Sequence, residues 1–253
     1  MINFNLIKRV FKTSKSIYLS ILAVSLFLMA VSFFSTGKLA GENPTAQSYL
    51  ETYNKIYFGT FGLIFTSALA ALLILINLTK EIDNCSLSIY LVSDKSRTNV
   101  LLNKYFSIFA MLFAYAILQI IVLVIGFNVI PEKYRSWESD TKEINLVFTY
   151  FLGTIFLMTL NFLFAALFNN KNIVIFSIAF ISTVSTLMRI VYSISGSKDL
   201  EFFTYISTYV FSNDDLINKN NWSSLIPYAV WIFVVPPLIY GSVVGFNKRN
   251  LYL

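Results

Sequence analysis

The chain has 253 residues, of which 57% are hydrophobic and only 13% charged, with no His, a single Cys (Cys85) and a net charge of +6. Soluble domains carry about 25% charged residues, so this composition excludes a water-facing surface over most of the molecule. It also excludes a disulfide within one chain, argues against a His/Cys metal centre and removes the commonest general base. The cations lie between apolar runs and read as topology signals, not as a nucleic-acid surface.

Residues 1–16 come first. On a helical wheel Phe4, Leu6, Ile7, Val10 and Phe11 fill one arc, and Asn5, Lys8, Arg9, Lys12 and Lys15 fill the opposite one, with only Ile2 misplaced. The pattern predicts an amphipathic helix in the membrane interface, with Phe4, Ile7 and Phe11 toward lipid and Lys8 and Lys12 toward anionic headgroups. The alternative is a basic flank that only orients the first span. Six stretches then have the length and apolarity of a spanning helix: Ile17–Phe34, Ile56–Leu78, Phe106–Ile130, Leu146–Phe168, Ile173–Ile194 and Leu225–Phe246. An open strand leaves backbone groups unsatisfied in lipid, so all six are read as helices. The expected fold is an all-α membrane protein. Its parts are an interfacial helix (1–16), a six-helix domain (17–246) with an inner segment at 79–105 and an outer connection at 195–224, and a tail (247–253).

Loop charge sets the orientation. Residues 1–16, 79–105, 169–172 and 247–253 together hold 11 Lys/Arg against 3 acids, and residues 35–55, 131–145 and 195–224 hold 7 against 10. The basic set is expected in the cytoplasm, with both termini inside. Trp137 and Trp222 fall near helix ends in the other set, where aromatic belts form.

Within the inner segment, Ile82, Cys85, Ile89 and Val92 form one apolar stripe of a helix, and Leu87, Tyr90 and Leu91 form another. A helix wet on one face needs one stripe, so two stripes imply two neighbours: the membrane domain and a docked cytoplasmic partner. Packing on its own bundle alone is the alternative. Further along, Arg189 is the one Lys, Arg, Asp or Glu inside a predicted span. Snorkelling to the headgroups is the first reading, and lining a path is the second. The stretch Leu200–Phe211 is too short to span and lies at the interface or re-enters. In the last span Pro236-Pro237 is expected to kink the helix, a candidate gate, and Gly241 and Gly245 form a G-x-x-x-G for close helix packing.

The run from Glu81 to Ser93, with Arg97 and Lys104 after it, resembles the inner loop of ABC-2 type export permeases. In that family an acid ends the second span, a small pair and a leucine-rich turn follow, and a Lys opens the third span. The finish Phe246-Asn-Lys-Arg-Asn-Leu is similar to the family's basic C-terminal end. This chain departs at Cys85-Ser86 for the usual Gly-Thr, at Ser93-Asp94 where a proline is usual, and at Asn250 for the terminal Asp. The resemblance implies a half-transporter in a bacterial cytoplasmic membrane, pairing with a second permease copy, by preference its own. It implies a separate ABC-type ATPase docked through Glu81, Ile82, Asp83, Leu87, Ile89, Tyr90 and Leu91. No G-x-x-x-x-G-K-[ST] occurs in the chain, so ATP and Mg belong to that partner and none is expected here. The implied cargo is amphipathic, a peptide ahead of a lipid or drug. A membrane anchor or sensor that recruits a cytoplasmic protein is the other function class.

Overall fold

A computed structural model describes residues 4–39, 52–53, 56–80, 96–129, 137–195, 207–209 and 226–248. Among these there is no strand, and six long helices dominate. They are α1 (Phe4–Leu39), α2 (Tyr57–Thr79), α3 (Arg97–Val129), α4 (Trp137–Leu167), α5 (Lys171–Ser195) and α6 (Ile226–Lys248). Helices α1 to α5 each contain a stretch long and apolar enough to cross a membrane.

Helix α1 joins two expected elements. The predicted interfacial helix and the first span form one uninterrupted helix of 36 residues. At 1.5 Å per residue it is about 54 Å long, well beyond the ~30 Å apolar layer of a bilayer. Leu6 and Val10, expected on the lipid arc, are buried in the core, whereas Phe4, Phe11, Lys8 and Lys12 are exposed and Ile7 is half-buried. The inward stripe continues up the helix through Ser14, Tyr18, Ser25, Met29, Ser32, Phe33 and Thr36.

Helix α3 starts nine residues before the predicted Phe106. Ser96 caps it by accepting the Asn99 N–H at 3.3 Å, and Val100, Leu101, Lys104 and Tyr105 are buried. Polar Asn103 and Lys104 had hidden these turns from a hydropathy reading. Helices α4 and α5 are joined by residues 168–170, with Asn170 Oδ1 accepting the Asn172 N–H at 2.9 Å as the N-cap of α5.

In α2 an α-helical middle, Gly62–Ile74, lies between two π-turns, Tyr57–Phe61 and Leu75–Thr79. In these turns Thr60 Oγ1 donates to the Ile56 carbonyl, and Asn77 Nδ2 donates to the Leu73 carbonyl at 2.9 Å. The N–H of Gly62 goes to the Tyr57 carbonyl and that of Lys80 to the Leu75 carbonyl, five residues back.

Contacts between helix ends show that successive helices alternate in direction. Asn77 Nδ2 donates to Ser14 Oγ at 2.5 Å, Lys104 Nζ donates to the Asn77 carbonyl, and Asn247 Nδ2 donates to Thr98 Oγ1 at 3.0 Å. One end of the bundle therefore gathers the start of α1, the end of α2, the start of α3 and the end of α6. The exposed cations Lys8, Lys12, Lys15, Lys80 and Lys248 lie at or near these ends, and we call this the basic end. The opposite end holds an aromatic cluster in which Phe33 stacks on Tyr53 at 4.2 Å and Phe58 on Tyr150 at 5.4 Å.

The G-x-x-x-G of α6 packs within the chain. A Cβ at Gly241 would lie 3.4 Å from Leu163 Cδ1, and one at Gly245 would overlap Leu167 Cδ2, so α6 runs beside α4 in the same direction. Leu167 is 46% exposed and has room to swing aside. We expect Gly245→Ala to cost under ~1 kcal/mol in thermal unfolding, below the ~1–3 kcal/mol of true overpacking.

Candidate functional site

The lipid-facing and inward-facing sides of α5 differ in kind. Outward are Phe176, Phe180, Leu187 and Ile194, all strongly exposed, and inward are Val174 and Ile178 and then Ser182, Ser185, Thr186 and Arg189. The polar stripe begins near mid-helix and runs away from the basic end. It meets Asn161 of α4, whose Nδ2 donates to Ser182 Oγ at 2.9 Å. The result is a polar seam inside a bundle whose outside is apolar.

The seam is filled by three residues of the connection before α6. Ser207 Oγ donates to the Ser185 carbonyl at 2.7 Å, the Thr208 N–H donates to Ser185 Oγ at 2.9 Å, and the Thr208 hydroxyl lies 2.8 Å from Ser185 Oγ. Tyr209 is fully buried. Its phenol oxygen is 3.4 Å from both Thr66 Oγ1 of α2 and Thr154 Oγ1 of α4, and its ring lies 6.1 Å from that of Tyr150. Space for the turn exists because residue 153 is Gly: a Cβ there would stand 2.8 Å from Tyr209 Cδ1 and 3.0 Å from the Thr208 carbonyl oxygen. The described part of this stretch, residues 207–209, is buried between the helices.

Arg189 is 5% exposed and faces this interior, so snorkelling, which needs an exposed side chain, does not describe it. Its guanidinium carbon lies 5.5 Å from the Tyr192 ring centroid, a cation–π distance. Pro236 and Pro237 lie inside α6, which continues through them as helix, and they share an exposed face with Ile232, Phe233 and Tyr240. They therefore do not line the seam. Glu81, Ile82, Asp83, Leu87, Ile89, Tyr90 and Leu91 lie outside the described residues.

Two further polar nodes tie the first three helices together. Near the aromatic end, Ser25 Oγ of α1 lies 2.8 Å from Tyr57 OH of α2 and also bonds Tyr115 OH of α3, while Gln119 Nε2 donates to Tyr57 OH at 3.2 Å. At the basic end, Asn77 joins Ser14 and Lys104, and Lys104 is 1% exposed. Each node includes a residue of an α2 π-turn, Tyr57 in one and Asn77 in the other.

The sequence reading singled out Arg189 and the stretch Leu200–Phe211 but missed Ser185, Gly153, Thr66 and Thr154, the seat of residues 207–209. A signal did exist. Ser182, Ser185, Thr186 and Arg189 stand at i, i+3, i+4 and i+7, a polar stripe within an apolar helix. Chemically the seam offers hydroxyls, one amide and a guanidinium. These groups suit binding or passage of a polar group, and the predicted spans contribute no carboxylate for proton transfer. No protein-family model, curated protein or solved structure matches this chain.

Proposed function

We propose that this chain is the membrane permease subunit of an ABC-2 type, ATP-driven exporter. In this reading all six helices span, with α6 the sixth, and the basic end faces the cytoplasm. A separate ATPase docks through the inner segment around Glu81 to Leu91. A second permease copy, by preference identical, completes the path, and an amphipathic substrate, a peptide ahead of a lipid or drug, leaves outward. The observation that carries the reading is the polar seam. Polar side chains in a membrane helix are costly against lipid and here point inward, to where a substrate's polar groups need partners. The described turn at 207–209 fills the seam at Ser185, and in this reading it serves as a gate.

Purification in mild detergent tests this. The wild-type chain is expected to bring down an ATPase, and Leu87→Asp with Tyr90→Asp to lose both that ATPase and substrate efflux. A stable monomer that never carries an ATPase counts against the exporter. Loss of the partner with efflux unchanged selects the anchor or sensor reading instead.

A further inference from the structure

The turn at residues 207–209 is a piece of peptide already bound inside the bundle. It is held through one main-chain N–H, on Ser185 Oγ, through two hydroxyls, and through an aromatic ring laid over Gly153. Any peptide with an aromatic side chain beside a free main-chain N–H brings the same kinds of group. The slot also has bonding capacity that the turn leaves unused. Thr186, next to Ser185 on the same buried face and 5% exposed, has no partner for Oγ1 among the described residues. Oδ1 of fully buried Asn161, beside Ser182, has none either. Buried polar atoms are mostly satisfied, so Thr186 Oγ1, one residue from Ser185, is an acceptor and donor that a longer ligand in the slot could use.

We propose that this slot is a peptide-binding site, filled at rest by Ser207, Thr208 and Tyr209, and that a substrate peptide enters it by displacing them. The proposal rests on the exporter reading and names the site that takes its cargo. The ligand's main-chain N–H bonds Ser185 Oγ and its aromatic side chain takes the space over Gly153, between Thr66 and Thr154. A neighbouring residue satisfies Thr186 and Asn161. The resident turn acts as a competitor, so apparent affinity falls with the fraction of molecules whose slot is occupied.

The test uses the full chain in lipid nanodiscs, titrated with a dansyl-labelled synthetic amphipathic peptide that carries Phe and Tyr on its apolar face. In a Cys85→Ser background, Ser185→Cys with Thr208→Cys places two thiols where hydroxyl oxygens now lie 2.8 Å apart, and oxidation pins the turn. The reduced double variant is expected to bind more weakly than the parent, because a thiol replaces the Ser185 hydroxyl as acceptor, to weaken at least about tenfold further on oxidation and to return to its reduced value on reduction, with the parent indifferent to oxidant. Tyr209→Ala, which empties the aromatic seat and leaves Ser185 intact, is expected to tighten binding several-fold. Equal affinity in the pinned and free forms, no tightening in Tyr209→Ala, or no saturable binding by the parent overturns the proposal. These readouts use the isolated chain, so a failure here leaves the ATPase test of the exporter reading standing.

Discussion

Gly153→Val is expected to dislodge the Ser207–Tyr209 turn from its seat in a sizeable fraction of molecules. A single Cβ at this position already falls 2.8 Å from the Tyr209 ring and 3.0 Å from the Thr208 carbonyl, and Val adds two methyl groups. Part of the obstacle is backbone, and the ring is fully buried, so neither neighbour yields as the half-exposed Leu167 does beside Gly245. Overpacking costs about 1–3 kcal/mol. The hydrogen bonds that hold the turn are worth about 0.6 kcal/mol each between membrane helices and together come to about the same size as the clash, so the turn is left near balance between its seat and an expelled state. A thiol at position 208, in a Cys85→Ser background, is expected to go from protected to rapidly labelled by a maleimide when Gly153→Val is added. An unchanged labelling rate places the turn elsewhere.

Ser25→Val is expected to be more damaging to stability than to any one contact. Ser25 is fully buried and its hydroxyl bonds both Tyr57 and Tyr115, tying α1 to α2 and α3. The substitution adds bulk at a closed position, at about 1–3 kcal/mol, and removes a partner of two buried phenols, at about 1–3 kcal/mol where a hydroxyl is left unsatisfied. Tyr57 keeps Gln119 and the Ser25 carbonyl as partners, so the Tyr115 hydroxyl, left with Tyr57 alone, loses the most. Two results check this in thermal unfolding of the purified protein. The single variant loses several degrees in midpoint, and adding Tyr115→Phe recovers part of the loss. Strictly additive losses mean that the node does not act as one unit.

The helices were legible because lipid imposes a simple rule: about 20 apolar residues and a backbone satisfied within itself. Their alternation followed from charge. What escaped the sequence reading were features whose partners lie far along the chain. Lys104 looked like a loop cation at the head of a span, yet it is buried because its acceptor is the carbonyl of Asn77 in another helix. The stretch around Thr208 could be read as interfacial or re-entrant, and its seat could not be found because Gly153, which makes room for it, is a single residue in a different helix. Arg189 looked able to reach the headgroups, but its own stripe of Ser182, Ser185 and Thr186 turns it inward. Hydropathy also averaged away the continuity of α1, whose first turns alternate cations with the buried Leu6 and Val10. Pro236 and Pro237 read as a kink and candidate gate, yet α6 continues through them as helix, and only packing shows that they face outward.

The orientation of the bundle is the claim on which docking, export direction and gate all depend. Its most direct test is labelling of intact cells by a membrane-impermeant maleimide, with Lys12→Cys or Lys248→Cys in a Cys85→Ser background. Both positions are exposed, one on the first turns of α1 and one at the end of α6. With the basic end in the cytoplasm, both label only after the membrane is permeabilised. Labelling of either from outside intact cells contradicts the account.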